Sequence, residues 1–426
     1  MKNNITRIFT LLSIFFIVLL LTACNEDPTS LGMTFLTDTV TITSVSGENG
    51  IYTGNNSYII PNPVNNTGAI LVGEALNMRA ASFLRFDFPP DLGWIKEEDI
   101  VSAQLIIYPL HYALGDTLSS NFLSFDIKKI TKRWTFEETT VADVFESDKL
   151  YEPEPLTSWS GNIVYKSDET RDTLDSIAID IPKSLCVDWF QKRNTTPTEE
   201  TPDDQITWGL ALLPKAGCTV INQFRSAGDK YKEGSLMQVV YKKTLENGQD
   251  TNITLNVFAG VSTKFIDINE KIDKNKIITQ GAVKIHSKLN FDISQIPDLA
   301  AVHFTEITLT LDKSQSYFGN ELQDSVLMMG VYADPEKEYK NTGMDLFCYG
   351  RRLQGTDKFI FRSAEPMFMY LLGLEDKKGS LVLMQNGNIK DANSLNRFVF
   401  YNSEAEDENL RPKIKLIYSY LAPSAK

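Results

Sequence analysis

Three histidines, three cysteines beyond residue 100, an adjacent glutamate pair and two tryptophans in loop-like contexts are the side chains whose chemistry must be weighed. Nucleophilic catalysis needs a base beside a serine or cysteine, and His111, His286 and His303 are the only imidazoles in the chain. None lies in an elbow or triad context. His286 and His303 flank strand-like runs, which reads as exposed or hydrogen-bonded structural residues, with a hydrolase of unrecognised site as the alternative. Glu137 and Glu138 resemble a glycosidase acid pair only on paper. Neighbours on a strand point to opposite faces and cannot flank one bond, so a turn or helix cap is the expected reading. HExxH, P-loop and GxGxxG patterns are absent. The acid-rich stretches 172–180 and 404–409 lack EF-hand spacing and read as solvated charge. The scattered cysteines give no zinc-ligand pattern. No metal, cofactor or catalytic residue is therefore expected. Cys186 and Cys218 are spaced to permit a disulfide, and two buried free thiols are the other reading; Cys348 has no partner in its own half. Trp94, in Asp91-Leu92-Gly93-Trp94, and Trp159, in Ser158-Trp159-Ser160-Gly161, place large rings in loops. There an indole either stacks on a sugar face or folds back over a sandwich end.

The elements that must position these residues begin with two stretches of like pattern. Ser82-Phe83-Leu84-Arg85-Phe86-Asp87-Phe88 is followed, after a turn-rich break, by Val101-Ser102-Ala103-Gln104-Leu105-Ile106-Ile107-Tyr108. Some two hundred residues on, Ser287-Lys288-Leu289-Asn290-Phe291-Asp292-Ile293 precedes Phe304-Thr305-Glu306-Ile307-Thr308-Leu309-Thr310-Leu311. Both show period-two alternation with one face buried, the mark of paired strands. Later segments repeat in order as well. Residues 380–384 answer 209–213, 398–403 answer 220–226, and 413–418 answer 237–241. A short amphipathic helix is expected at 185–192, capped by Ser184, and its counterpart at 367–374. A polar loop is expected at 193–205. The turn-bearing segment 243–250 is the expected boundary. The fold class is all-β: two tandem antiparallel β-sandwich (jelly-roll-like) domains, 37–245 and 251–420, each with one short helix.

The chain has 426 residues, is 42% hydrophobic and carries a formal charge of −13. That length fits two or three domains, and the apolar share suffices for sizeable cores. The acidity disfavours nucleic acid and anionic bilayers as partners. At the amino terminus Lys2 and Arg7 precede an apolar run, 8–21, and Leu21-Thr22-Ala23-Cys24. A basic start, a short apolar core and small residues make a secretory signal over 1–23, too short for a stable spanning helix.

The ending Leu21-Thr22-Ala23-Cys24 resembles the bacterial lipobox, which implies that Cys24 carries lipid and becomes the mature first residue. Acyl chains hold a soluble body on a membrane at about 0.8 kcal/mol per buried methylene. Glu26-Asp27 is similar to the export signal of Bacteroidota surface lipoproteins, and Asp27-Pro28-Thr29-Ser30-Leu31-Gly32 to the start of an uncharacterised lipoprotein family there, with residues 24–36 as an acidic tether. Triplets starting at Asp38, Asp116, Asp172, Asp175 and Asp324 resemble the O-glycosylation site of the same bacteria. The halves themselves resemble the DNRLRE-type β-sandwich module. The matches are Phe83-Leu84-Arg85-Phe86-Asp87, Ser102-Ala103-Gln104-Leu105, Trp134 with Glu137, and the closing strands at 237–241 and 412–418; the second half lacks the Trp–acid segment. This resemblance implies carbohydrate-binding-like sandwiches. The expectation is a non-catalytic outer-membrane lipoprotein, surface-exposed or periplasm-facing. It is held to the membrane through its N-terminal lipid and binds glycan through Trp94 and Trp159, or else serves as a structural or adhesive subunit that meets a protein partner.

Overall fold

The computed structural model describes residues 40–47, 50–60, 64–65, 68–136, 138–147, 149–165, 175–192, 206–226, 234–246, 248–320, 326–334, 337–338, 343–385 and 393–421. The signal 1–23, Cys24, the tether 24–36, Glu137, the loop 193–205 and the triplets at Asp38, Asp172 and Asp324 lie outside these residues. The protein is all-β, and its sheets are antiparallel throughout.

The first half contains β1 (Val40–Gly47), β2 (Tyr52–Ile59), β3 (Val64–Asn65), β4 (Ala69–Ala75), β5 (Met78–Phe86), β6 (Ile100–Ile107) and β7 (Pro109–Gly115). Then come β8 (Leu123–Lys129), α1 (Val141–Phe145), β9 (Thr157–Gly161), β10 (Ile177–Asp180), α2 (Lys183–Phe190), β11 (Leu210–Pro214), β12 (Val220–Arg225) and β13 (Leu236–Thr244). The second half contains β14 (Asp250–Ile268), β15 (Ile277–Gln280), β16 (Ile285–Asp292), β17 (Ala301–Thr310), β18 (Val326–Val331) and β19 (Leu346–Arg352). It closes with β20 (Lys358–Arg362), α3 (Glu365–Leu372), β21 (Lys378–Gln385), β22 (Arg397–Phe400) and β23 (Lys413–Leu421). The helix α2 starts two residues earlier than its sequence suggests. Pro182 takes the N-cap position and no side chain caps it, so Ser184 lies inside the first turn. The short α1 was not anticipated; Thr140 accepts from the Asp143 N–H and Asp143 answers the Thr140 N–H, a reciprocal cap.

Pairing follows one pattern in both halves. One layer of the first sandwich runs β10-β6-β13, and the other runs β5-β11-β8-β9 with β4 and β12 beside β5. In the second the matching runs are β20-β17-β23 and β16-β21-β18-β19, with β15 and β22 beside β16. The two repeated stretches, on β5 and β16, even share a side-chain stitch. Ser82 Oγ accepts from the Leu71 N–H at 3.1 Å and donates to the Leu71 carbonyl at 2.8 Å. Ser287 Oγ does both for Ile278 at 2.7 Å. Each fully buried hydroxyl thus satisfies the backbone of the short neighbouring strand where the regular ladder does not.

In each sandwich a segment from the other half serves both layers, the single strand β14 in the first and the two strands β1 and β2 in the second. Residues 250–258 of β14 pair with β13, and 259–268 pair with β5, so β14 belongs to the first sandwich. On the second sandwich β1 pairs with β23 and β2 with β16. These pairings correct the expected split into 37–245 and 251–420. The segment 243–250 is a hairpin turn inside the first sandwich, with Thr244 opposite Asp250 and Gly248 at φ +82°. Its Asn-Gly dipeptide is a hairpin signal as much as a linker signal.

The first core lies between the layers and gathers Phe86, Leu105, Phe125, Trp189 and Phe224. The second gathers Ile51, Leu289, Phe291, Phe361, Phe368 and Leu416. A third cluster joins Leu71, Met78, Tyr112 and Ile221 of the first half to Ile278, Ile285, Leu395 and Val399 of the second, so the two sandwiches pack directly on each other. Tyr112 stitches this contact, accepting from the Leu395 N–H at 2.7 Å and donating to Asn396 Oδ1 at 3.1 Å.

Candidate functional site

The two sequence-selected tryptophans do not form one platform. Trp94 precedes β6 and stands edge-on to Tyr241 of β13, ring centroids 5.8 Å apart, with half of its surface open. Trp159 lies on the opposite layer, on β9 rather than in a loop. Its ring is tilted 32° over Phe125 at 5.5 Å, and a Cβ at Gly161 would approach it to 2.9 Å. It therefore packs along its own strand against the first core, leaving less of its face for a ligand.

The remaining sequence candidates are dispersed as well. Cys186 and Cys218 are not bridged. The Cys186 thiol is buried in the first core, and that burial pushes it up to about 12. Cys218 instead donates to the Ser124 carbonyl at 3.1 Å and accepts from the Ser124 N–H at 3.3 Å, which holds it to the start of β8. His303 shares a hydrogen bond with Ser419 Oγ at 2.7 Å on an exposed strand surface. His286 is buried on β16, edge-on to Tyr58 at 6.0 Å. Among the described residues no group of three metal-ligating side chains occurs, and no helix is long and apolar enough to cross a membrane.

Burial and the neighbouring Lys284 push His286 down to about 3, and the same two causes push Lys264 down to about 7. Both are bases whose folded values lie below their unfolded ones, so the unfolded chain binds more protons and stability rises with pH. For His286 the window runs from about 3 to about 6.5, and for Lys264 it runs from about 7 to about 10.5. Between pH 6.5 and 5, above the carboxylate range, the urea midpoint is expected to fall with a slope approaching one proton, about 1.4 kcal/mol per pH unit. His286→Gln is expected to flatten it. An unchanged slope would remove His286 from the account.

The surface best suited to a ligand is one that the sequence did not mark. Along β19, Phe347, Tyr349 and Arg351 point outward while Cys348 and Gly350 point inward. A Cβ at Gly350 would strike the Phe361 ring at 2.3 Å, so only glycine lets that core aromatic lie beneath the strand. Phe347 and Tyr349 are each about half exposed, at 49% and 47%, and their rings meet edge to face at 5.5 Å.

Register carries this row across the sheet. Tyr349 lies opposite Met328, which lies opposite Met384. Phe347 lies opposite Gly330, then Val382, then Lys288, then Asn56 of β2. The middle of the row is covered: Gly330, Val382 and Met384 are buried, and the Tyr332 hydroxyl donates to the Met384 sulfur. The far end of the row is polar. Lys288 pairs with Glu338 at 2.8 Å, Tyr58 donates to Glu338 at 2.6 Å, and Ser380 donates to Asn290 at 2.7 Å. The row thus has aromatic rings open to solvent at its β19 end and fixed amide, hydroxyl and charged groups at its β16–β2 end, with a buried stretch between them. That combination suits a ligand with both apolar faces and hydroxyls. The sequence signal was the alternation in Leu346-Phe347-Cys348-Tyr349-Gly350-Arg351, in which the larger apolar rings occupy the solvent phase.

No family model and no curated protein matches the chain. Among solved structures it is similar to one titled "Structure of the Macrobrachium rosenbergii Nodavirus", at 8% identity over 86% of this chain and 98% of that one, with a TM-score of 0.15. A likeness at that score carries no argument about fold or function.

Proposed function

We propose that the protein is an exported, lipid-anchored, non-catalytic surface protein that binds glycan on the outer face of β19. The observation that carries this reading is the half-exposed, edge-to-face Phe347–Tyr349 pair. Large rings left open on a sheet face need a reason, and stacking on the apolar face of a sugar is the interaction they serve best. Trp94 is a second candidate contact on the first sandwich. The anchor is assigned to Cys24 from its sequence context, and mass spectrometry of the membrane-extracted protein will show the acylated cysteine if that assignment holds.

Binding to a panel of soluble polysaccharides by the chain from Asn25 onward tests the site. Phe347→Ala and Tyr349→Ala are each expected to weaken binding about tenfold, corresponding to about 1.4 kcal/mol. Trp159→Ala is expected to act mainly on stability. Sugar binding unaltered by both changes on β19 removes this face from the account. The second reading is a structural or adhesive subunit, and it is favoured by β9 and β10, which among the described residues pair on one side only. Co-purification of a stoichiometric protein partner, with no polysaccharide bound, would select it.

A further inference from the structure

The two spanning segments are held in place by different means. β14 continues directly from β13 through a tight hairpin, so its docking on the first sandwich is local and fixed by covalent connection. β1 and β2 have no such connection to the sandwich they complete. Their partners β23 and β16 lie some 230 residues or more along the chain, and only residues 60–63 separate β2 from β3, which pairs with β14 on the first sandwich. The pair is nevertheless integral to the second sandwich. Ile51 is buried in its core, and the Ile51 carbonyl accepts from the Asp292 N–H at 2.8 Å. Ser57, fully buried, donates to the Lys276 carbonyl at 2.5 Å and accepts from the Ile278 N–H at 3.1 Å. A second sandwich lacking β1–β2 would expose the edge of β23, the edge of β16 and part of its core. Such a slot takes whatever strand pair of this sequence reaches it first.

We propose that β1–β2 is an exchange element through which two copies of this chain join, each docking its strand pair on the second sandwich of the other. The contacts in trans are those seen in cis, so the balance between the two forms is set by the entropy of association. Local concentration then decides between them. The long sequence separation works in the same direction. A second sandwich still incomplete because its own strand pair has not returned is open to a neighbour's. This inference stands on strand pairing alone and is independent of the glycan reading.

Ser46 and Lys415 are register partners across the antiparallel pair β1 and β23, where cysteines can be placed for cross-linking. The test uses the chain from Asn25 onward with Cys218→Ser, as separate Ser46→Cys and Lys415→Cys chains and as the double variant. The two single variants are unfolded together, refolded at increasing concentration and oxidised. The expected product is a disulfide-linked heterodimer of twice the chain mass, its share rising with concentration. The double variant, refolded dilute and oxidised first, is expected to close internally and stay monomeric at every concentration. Internal closure with no interchain link at any concentration overturns the proposal. Failure of the double variant to close internally overturns it too, since the pairing of β1 with β23 would then be wrong.

Discussion

Residues 37–245 expressed alone are expected not to fold, and neither are residues 251–420, whereas residues 64–268 are expected to give a cooperatively folded sandwich. The first fragment lacks β14, which pairs with β13 over nine positions and continues along β5. It also lacks Val257, Ala259 and Phe265, all buried. Burial of a Val or Phe side chain contributes about 1.5–3 kcal/mol, so these side chains and two orphaned strand edges are comparable to the whole stability of a domain, about 5–15 kcal/mol. The second fragment fails for the mirror reason. It lacks β1 and β2, loses Ile51 from its core, and carries β14 with nothing to pair against. Cutting at 64 and 268 keeps β3 to β14 together, with the first core intact. Circular dichroism melts in dilute solution would decide. A sharp transition for 37–245 equal to that for 64–268 would show that β14 is dispensable to the first sandwich.

This outcome marks where the sequence is legible and where it is not. Alternation in 82–88 and 287–293 identified β5 and β16 as strands, because residues two apart share a face whatever lies opposite. The same alternation says nothing about the identity of the neighbouring strand. The run 39–44 alternates like a strand on pattern alone, yet β1, which it enters, pairs with β23 nearly four hundred residues away. The Asn-Gly turn before β14 favours a hairpin and a linker equally until β13 is seen beside it. Sidedness was also hidden. The reading of one buried face fails for β5, where Leu84 and Phe86 enter the first core while Ala81 and Phe83 enter a separate cluster on the other side. That outer side is covered by the segment from Ile130 to Tyr151 and by Ile206 and Trp208, which no local pattern in β5 foretells. The site suffered from the same blindness to phase. Tryptophans were chosen for size and context, and Trp159 proved to be occupied against Phe125. Phe347 and Tyr349 carry no mark in the sequence that distinguishes them, and the burial of Cys348 and Gly350, with Phe361 packed beneath Gly350, shows that their phase is outward.

Phe83→Ala is expected to cost about 3–5 kcal/mol, enough to unfold a large share of molecules at moderate temperature. Phe83 has no exposed surface and meets three aromatic rings: Phe265 at 4.8 Å, Trp134 at 5.4 Å and Tyr151 at 5.8 Å. These neighbours come from three separate parts of the chain and cannot collapse together into the space left behind. Trp134 is held by its own indole N–H, which donates to the Trp208 carbonyl at 2.8 Å. Tyr151 is likewise tied, donating to the Val144 carbonyl at 3.1 Å. A cavity therefore persists, and the loss includes both the transfer of the ring and the unfilled volume. Phe347→Ala is the matched control: the same chemical change on an open sheet face is expected to move stability by no more than about 0.5 kcal/mol. Urea unfolding of both variants measures the contrast. Equal costs would mean either that Phe83 is not enclosed or that the ring of Phe347 is covered. The second result would also withdraw the ligand face proposed on β19. The two substitutions thus separate an aromatic that the fold uses from one that it leaves free for a partner.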